Sequence, residues 1–307
     1  MSDKQGVSSK SSHPHFTDEI IFIELKHDVA NRMELPQLVP LFQKDYETEI
    51  THGQLPPAAI AAAIEALKLV KPALTEYDRF LARYYLLEAH RSLEQKPPDG
   101  YQAQRYFQKA LGLDVGEPSA EAAFYLGNML SAVDTLEAER MYRLSLDIQP
   151  GVATVHYELG LLLRARRDLP NALGEFEKAF RLEPDNAILL NEVAETQLMA
   201  ENYEQARAAF ARAAEIEPEN WIFPVKLGLA EYRLGEYAFA MTHLRAGLDE
   251  SPDELLDGET QSLYIDGLFC LGLAYRATGD PVRARKLFKA VLNIAPGFEP
   301  AVLALNG

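Results

Sequence analysis

The chain has 307 residues, of which 30 are Lys or Arg and 46 are Asp or Glu, giving a formal net charge of −16; 48% are hydrophobic and 25% charged. These are the values of a folded chain, and every third of it is acidic on balance, so no segment offers the clustered bases that hold a phosphate backbone and no nucleic-acid partner is expected. A single cysteine, Cys270, excludes an internal disulfide and an all-cysteine metal site.

Residues 1–15 are polar and hold too little apolar side chain to offset ordering, so a disordered leader is expected. The first apolar cluster, Ile20, Ile21, Phe22 and Ile23, is bracketed by Asp18, Glu19 and Glu24. It matches neither a secretory signal nor a spanning helix, and the expectation is a cytoplasmic chain without membrane insertion. Residues 16–77 carry three helical stripes: Phe22, Leu25, Val29 and Met33; Leu38, Phe42, Tyr46 and Ile50; and Ile60, Ile64 and Leu67. They read as an N-terminal cap on the helices beyond residue 77, or as an arm that docks in a groove. Thr75 with Asp78 resembles a capping box opening the helix of Phe80, Leu81, Tyr84 and Leu87.

A repeat then begins. Prolines stand at 150, 184, 218 and 252, successive intervals of 34. Ahead of them run Ala138/Tyr142/Ser145, Ala172/Phe176/Ala179, Ala206/Phe210/Ala213 and Ala240/Leu244/Gly247. Ala284/Phe288/Val291 with Pro296 is a further copy, and Ala103/Phe107/Ala110 a weaker one without proline. Upstream of each full copy a large residue adjoins a very small one: Leu126-Gly127, Leu159-Gly160, Val193-Ala194, Leu227-Gly228 and Leu271-Gly272. Each unit reads as two antiparallel helices that approach closely at the small residues, with the large side chain filling the gap and proline ending the second helix. Asn186 and Asn220 offer caps to the next helix. Such a hairpin cannot bury its apolar face alone, so units must stack.

Over residues 78–298 this pattern resembles the tetratricopeptide repeat family. The resemblance implies an all-α, right-handed superhelical solenoid of helix-turn-helix repeats, here with extra N-terminal capping helices. The expected layout is a degenerate repeat over 78–118, four repeats over 119–254, a final repeat with an acidic insertion over 255–298, and a capping helix over 299–307, where Phe298, Val302 and Leu303 suggest a closing contact. Three places depart from the pattern. The turn between Gly127 and Ala138 is one residue short, and ten extra residues near 251–261 make an acidic run that reads as a solvated loop or a docking site. Pro224 stands where the family favours a bulky residue; Trp221 is read as packing in its place, or as an exposed anchor.

No catalytic constellation is evident, so no enzyme activity and no cofactor are expected. No two of the seven histidines have the i, i+4 spacing of a helical zinc site, and no phosphate-cradling glycine loop or Gly-x-Ser-x-Gly elbow is present. Cys270 reads as a structural thiol. The resemblance places the first helix of each pair on an inner wall. The partner-binding groove is expected there, at Asn128, Tyr157, Arg164, Asn191, Glu195, Lys226, Tyr232, Arg233, Phe269 and Arg276. Glu158, Glu192, Leu161, Leu198, Leu229, Leu273 and Cys270 share that wall. A clamp for C-terminal carboxylates known in the family is not expected, since its positions carry Phe124, Asn128, Glu158, Ile222 and Lys226. The wall suits an extended peptide or a partner's helix, and its arginines either receive an acidic segment or neutralise neighbouring glutamates. The reading is an adaptor or scaffold for a protein or peptide partner; the alternatives are a self-assembling homo-oligomer and a non-catalytic subunit of an enzyme complex.

Overall fold

A computed structural model describes residues 78–251 and 258–306. The stripes over residues 22–67, Thr75 and most of the acidic insertion lie outside them. The described residues form thirteen α-helices and no strand. They fall into two compact units, one ending at Val155 and the other His156–Gly307, with the boundary in the first turn of the fifth helix.

In the first unit, α1 (Asp78–Glu94) pairs with α2 (Gly100–Leu111), and α3 (Glu117–Leu130) with α4 (Thr135–Ile148). Ala103, Phe107 and Ala110 of the weak copy are fully buried. A Cβ on Gly127 would stand 2.6 Å from the Tyr142 ring, so the aromatic lies directly on the α3 backbone. Ser145, also fully buried, donates to the Ala120 carbonyl at 2.7 Å and so satisfies its hydroxyl while tying α4 to α3.

The second unit continues with α5 (Ala153–Ala165) and α6 (Leu169–Leu182), α7 (Ala187–Met199) and α8 (Tyr203–Ile216), α9 (Ile222–Arg233) and α10 (Tyr237–Asp249), α11 (Gly258–Ala277) and α12 (Pro281–Ile294), and closes with α13 (Glu299–Asn306). The same close approach recurs at Gly160 on Phe176, Gly228 on Leu244 and Gly272 on Phe288, at 2.7, 2.6 and 2.6 Å. Asn186 accepts from the Ile188 amide at 3.1 Å and caps α7, while Asn220 accepts from the Ile222 amide at 3.2 Å one residue ahead of the α9 cap position, which Trp221 occupies.

The turn inside each hairpin explains the short unit. Arg167, Glu201, Gly235 and Gly279 all have left-handed backbones, with φ of 64°, 61°, 78° and 87°. The amide of each following residue reaches back to the fifth residue before it: Asp168 to Leu163, Asn202 to Gln197, Glu236 to Glu231 and Asp280 to Tyr275. This is the six-to-one closure that ends a helix on a left-handed residue. Between α3 and α4 that residue is missing, and the amide of Asp134 returns to Leu130 only four positions back.

Three details differ from the sequence reading or refine it. The solvated loop expected over 251–261 is too long, because α11 already begins at Gly258, with Glu259 favourably placed in its first turn. The closing helix turns Phe298, Ala301, Ala304 and Leu305 to the core, leaving Leu303 63% and Val302 39% exposed. Its buried positions recur at three and four residues, so Val302 and Leu303 fall on the outer side. Trp221 is only 9% exposed and meets the Tyr264 ring edge-on at 6.4 Å, which makes it packing and not an outward anchor.

Candidate functional site

The first helices of the second unit, α5, α7, α9 and α11, share a wall because each is covered on its other side by its hairpin partner. Polar side chains on three of them are joined. Arg164 of α5 pairs with Glu192 of α7 at 2.6 Å. Asn191 donates to Glu192 at 3.0 Å and accepts from Lys226 of α9 at 2.7 Å. Lys226 also pairs with Glu195 at 2.7 Å. The result is a ladder across α5, α7 and α9 whose two cations are each matched by a carboxylate. The two cations also cover buried aromatics, Arg164 5.5 Å over Phe176 and Lys226 5.9 Å over Phe210, as Arg276 of α11, outside the ladder, does at 5.6 Å over Phe288.

The remaining candidates fall into place around this ladder. Tyr157 is half-buried, its ring tilted 6.1 Å from Phe176. Burial raises its phenol pKa, and the negative charges of Glu192 and Glu158 add to the shift. Tyr232 sits 5.5 Å from Tyr237, with its phenol also raised chiefly by burial, while Arg276 and Arg233 pull it back. Phe269 packs at 5.5 Å from Phe288 and 5.3 Å from Phe298. Arg276 is exposed and reaches the Ala304 carbonyl at 3.5 Å. Arg233 is exposed at the end of α9. Asn128 belongs to the first unit, where its side-chain oxygen accepts from the Tyr142 hydroxyl at 2.8 Å. Nine of the ten residues singled out from the sequence therefore lie in the second unit, and Asn128 is held separately in the first.

Burial raises the pKa of the Cys270 thiol to about 12, more than Arg233 nearby offsets, so the sulfur stays protonated. Among the described residues no group of three or more His, Cys, Asp and Glu side chains could hold a metal ion. None of the described helices is long and apolar enough to cross a membrane.

Sequence reasoning missed two histidine–glutamate pairs, the first buried and the second partly so. His156 of α5 meets Glu175 of α6 at 2.6 Å, and Lys178 donates to the other oxygen of Glu175 at 2.8 Å. Glu231 of α9 meets His243 of α10 at 2.8 Å. Histidine is on the first helix in one pair and on the second in the other. Neither pair recurs at the repeat interval, so a search for periodicity passes over both.

The fold and this wall meet known proteins in one class. Two models described as tetratricopeptide repeat match the chain, one over residues 157–220 and 194–254, the other over 265–298. Over these residues the chain carries tetratricopeptide repeats. Superkiller protein 3 of Schizosaccharomyces pombe is 25% identical over 152 residues, 48% of this chain and 11% of that protein. The chain thus spans about a tenth of that relative. Among solved structures, YrrB, described as a tetratricopeptide repeat protein with an unusual peptide-binding site, superposes with a TM-score of 0.55 at 20% identity, covering 66% of this chain and 98% of that one. Pseudomonas aeruginosa PilF gives 0.55 at 16% identity over 74% and 97%. The C-terminal part of a repeat protein from Cytophaga hutchinsonii gives 0.57 at 16% over 89% and 99%. These likenesses establish the fold. The repeats give the chain a protein-interaction or scaffold role.

Proposed function

We propose that the first-helix wall of the second unit holds a segment of a partner polypeptide, making the chain a non-catalytic adaptor. One observation carries the reading: partly buried Tyr232 has Arg233 and Arg276 near it, Phe269 packs on the Phe288 ring that Arg276 covers, and these two exposed cations take no carboxylate partner among the described residues. A wall of purely structural charges would pair them, as it pairs Arg164 and Lys226. Amphipathic aromatics beside guanidinium groups are the side chains that anchor protein interfaces. YrrB, similar in fold, is described as having a peptide-binding site.

Affinity capture from the native cell extract tests this, comparing the intact chain with an Asn191→Ala, Lys226→Ala, Arg233→Ala variant. Because Lys226 and Asn191 are tied into the ladder, an Arg233→Ala, Arg276→Ala variant, which breaks no ion pair among the described residues, runs beside it with its melting temperature checked against the parent, since Arg276 also lies over Phe288. A protein retained by the intact chain and lost by both variants supports the reading. A protein retained equally by all three contradicts it.

A second reading, self-association, is favoured by the apolar outer side of α13, where Leu303 and Val302 face solvent. A mass that rises with concentration and returns to the monomer on Leu303→Asp supports it. A constant monomer mass removes it.

A further inference from the structure

The uncompensated charges of the second unit's first-helix wall stand at opposite ends. Ahead of the ladder, on α5, Glu158 takes neither a hydrogen bond nor an ion pair among the described residues. It is half-buried, and burial alone holds its carboxyl above the ordinary range. In the middle, Arg164 with Glu192 and Lys226 with Glu195 cancel. Beyond the ladder, Arg233 and Arg276 close α9 and α11. Asp266 of α11, exposed and paired with neither, stands with Arg233 near Cys270, so this end carries two cations against one carboxylate.

The neighbours of the two tyrosines place these charges on the same wall. The Tyr157 hydroxyl has Glu158 and Glu192 near it, with Arg164 opposing them, and the Tyr232 hydroxyl has Arg276 and Arg233 near it. One end of the wall is therefore acidic and the other basic on balance, the paired stretch between is neutral, and the aromatics Tyr232 and Phe269 share α9 and α11 with the two arginines.

We infer that the segment held here is itself charge-segregated, with a basic side chain against Glu158, carboxylates against Arg233 and Arg276, and an apolar residue ahead of the carboxylates on Tyr232 and Phe269. This rests on the reading of the wall as a binding face. A carboxylate answering two guanidinium groups gains charge-assisted hydrogen bonds, and a cation at Glu158 relieves a desolvated charge. Like-charged segments are turned away at one end, so the field selects as well as attracts. Packed helices lie about 8–10 Å apart, so α5 to α11 is a span of about 25–30 Å, which an extended segment of about eight residues covers.

The probes are two fluorescent synthetic peptides of about ten residues and identical composition. One has lysines grouped at one end, a Leu-Phe centre and aspartates grouped at the other. The other alternates the charges around the same centre. Anisotropy titrations use the full chain at low salt. The expected result is that the segregated isomer binds about tenfold tighter than the alternating one. That advantage disappears in Arg233→Ala, Arg276→Ala, falls in Glu158→Gln, and survives Arg285→Ala, Lys286→Ala on the exposed side of α12. Equal binding of the two isomers, or an advantage that the Arg233, Arg276 variant leaves intact, overturns the inference. The capture result for those variants is independent of it: a cell partner lost on mutating the wall while the isomers bind alike rejects charge segregation and keeps the binding face.

Discussion

Individual residues carry their energetics in their surroundings. Glu175 shows two opposed effects: burial pushes its carboxyl pKa up, but hydrogen bonds from His156 and Lys178, with their charges, together bring it below the ordinary value. A carboxyl depressed in the fold stabilises above its unfolded pKa, and the gain is lost as pH falls through the ordinary carboxylate range toward the folded value. Glu175→Gln is expected to flatten the acid side of the stability profile, read as melting temperature against pH. For Glu158 the sign reverses, since its charged form is disfavoured in the fold. Glu158→Gln is expected to raise the melting temperature at neutral pH, and the difference from the parent should shrink as pH falls through the raised value. With its thiol at about 12, Cys270 is expected to react slowly with a thiol reagent at pH 8 and rapidly once the chain is unfolded. These surroundings were not legible beforehand: the sequence names Glu158, Glu175 and His156 but not which helix covers them.

At the scale of elements, the small residues and the turns hold the hairpins together. A Cβ on Gly247 would meet the Trp221 carbonyl oxygen at 2.8 Å and the Val225 amide nitrogen at 2.9 Å, both backbone atoms that a rotamer change cannot move. Gly247→Ala is expected to destabilise by about 1–3 kcal/mol, because crowding outweighs the better helix propensity of alanine. Arg167 and Glu201 hold a left-handed turn that glycine fills at 235 and 279. Arg167→Gly is expected to stabilise by about 0.5–1 kcal/mol, read by chemical denaturation, because a Cβ is strained there. The hairpins were legible because their crossings must use small residues at a fixed interval. The outward turn of Leu303 was not, since a helix of eight residues holds too few positions to show which stripe is buried. Nor was the start of α11, because acidic residues suit a first helical turn as well as a loop.

For the whole chain, the repeat defines the fold while leaving the partner open. The wall was found from the positions of first helices, and nine of its ten named residues share one unit. What the sequence could not show is which of its arginines are already answered. Arg164 and Arg276 stand at nearly the same place in their repeats, yet Arg164 pairs with Glu192 and Arg276 has no carboxylate beside it among the described residues. That difference depends on whether the next first helix offers a glutamate in reach, a property of two helices together.

The central claim is that this wall, and not the opposite side of the repeats, receives the partner. The most direct measurement places a photoreactive benzoylphenylalanine at Tyr232 in one variant and at Lys286, exposed on α12, in another, and irradiates each in native extract. The account predicts a defined adduct from position 232 that disappears when Arg233→Ala and Arg276→Ala are added, and none from position 286. An adduct formed at 286 and absent at 232 would contradict it.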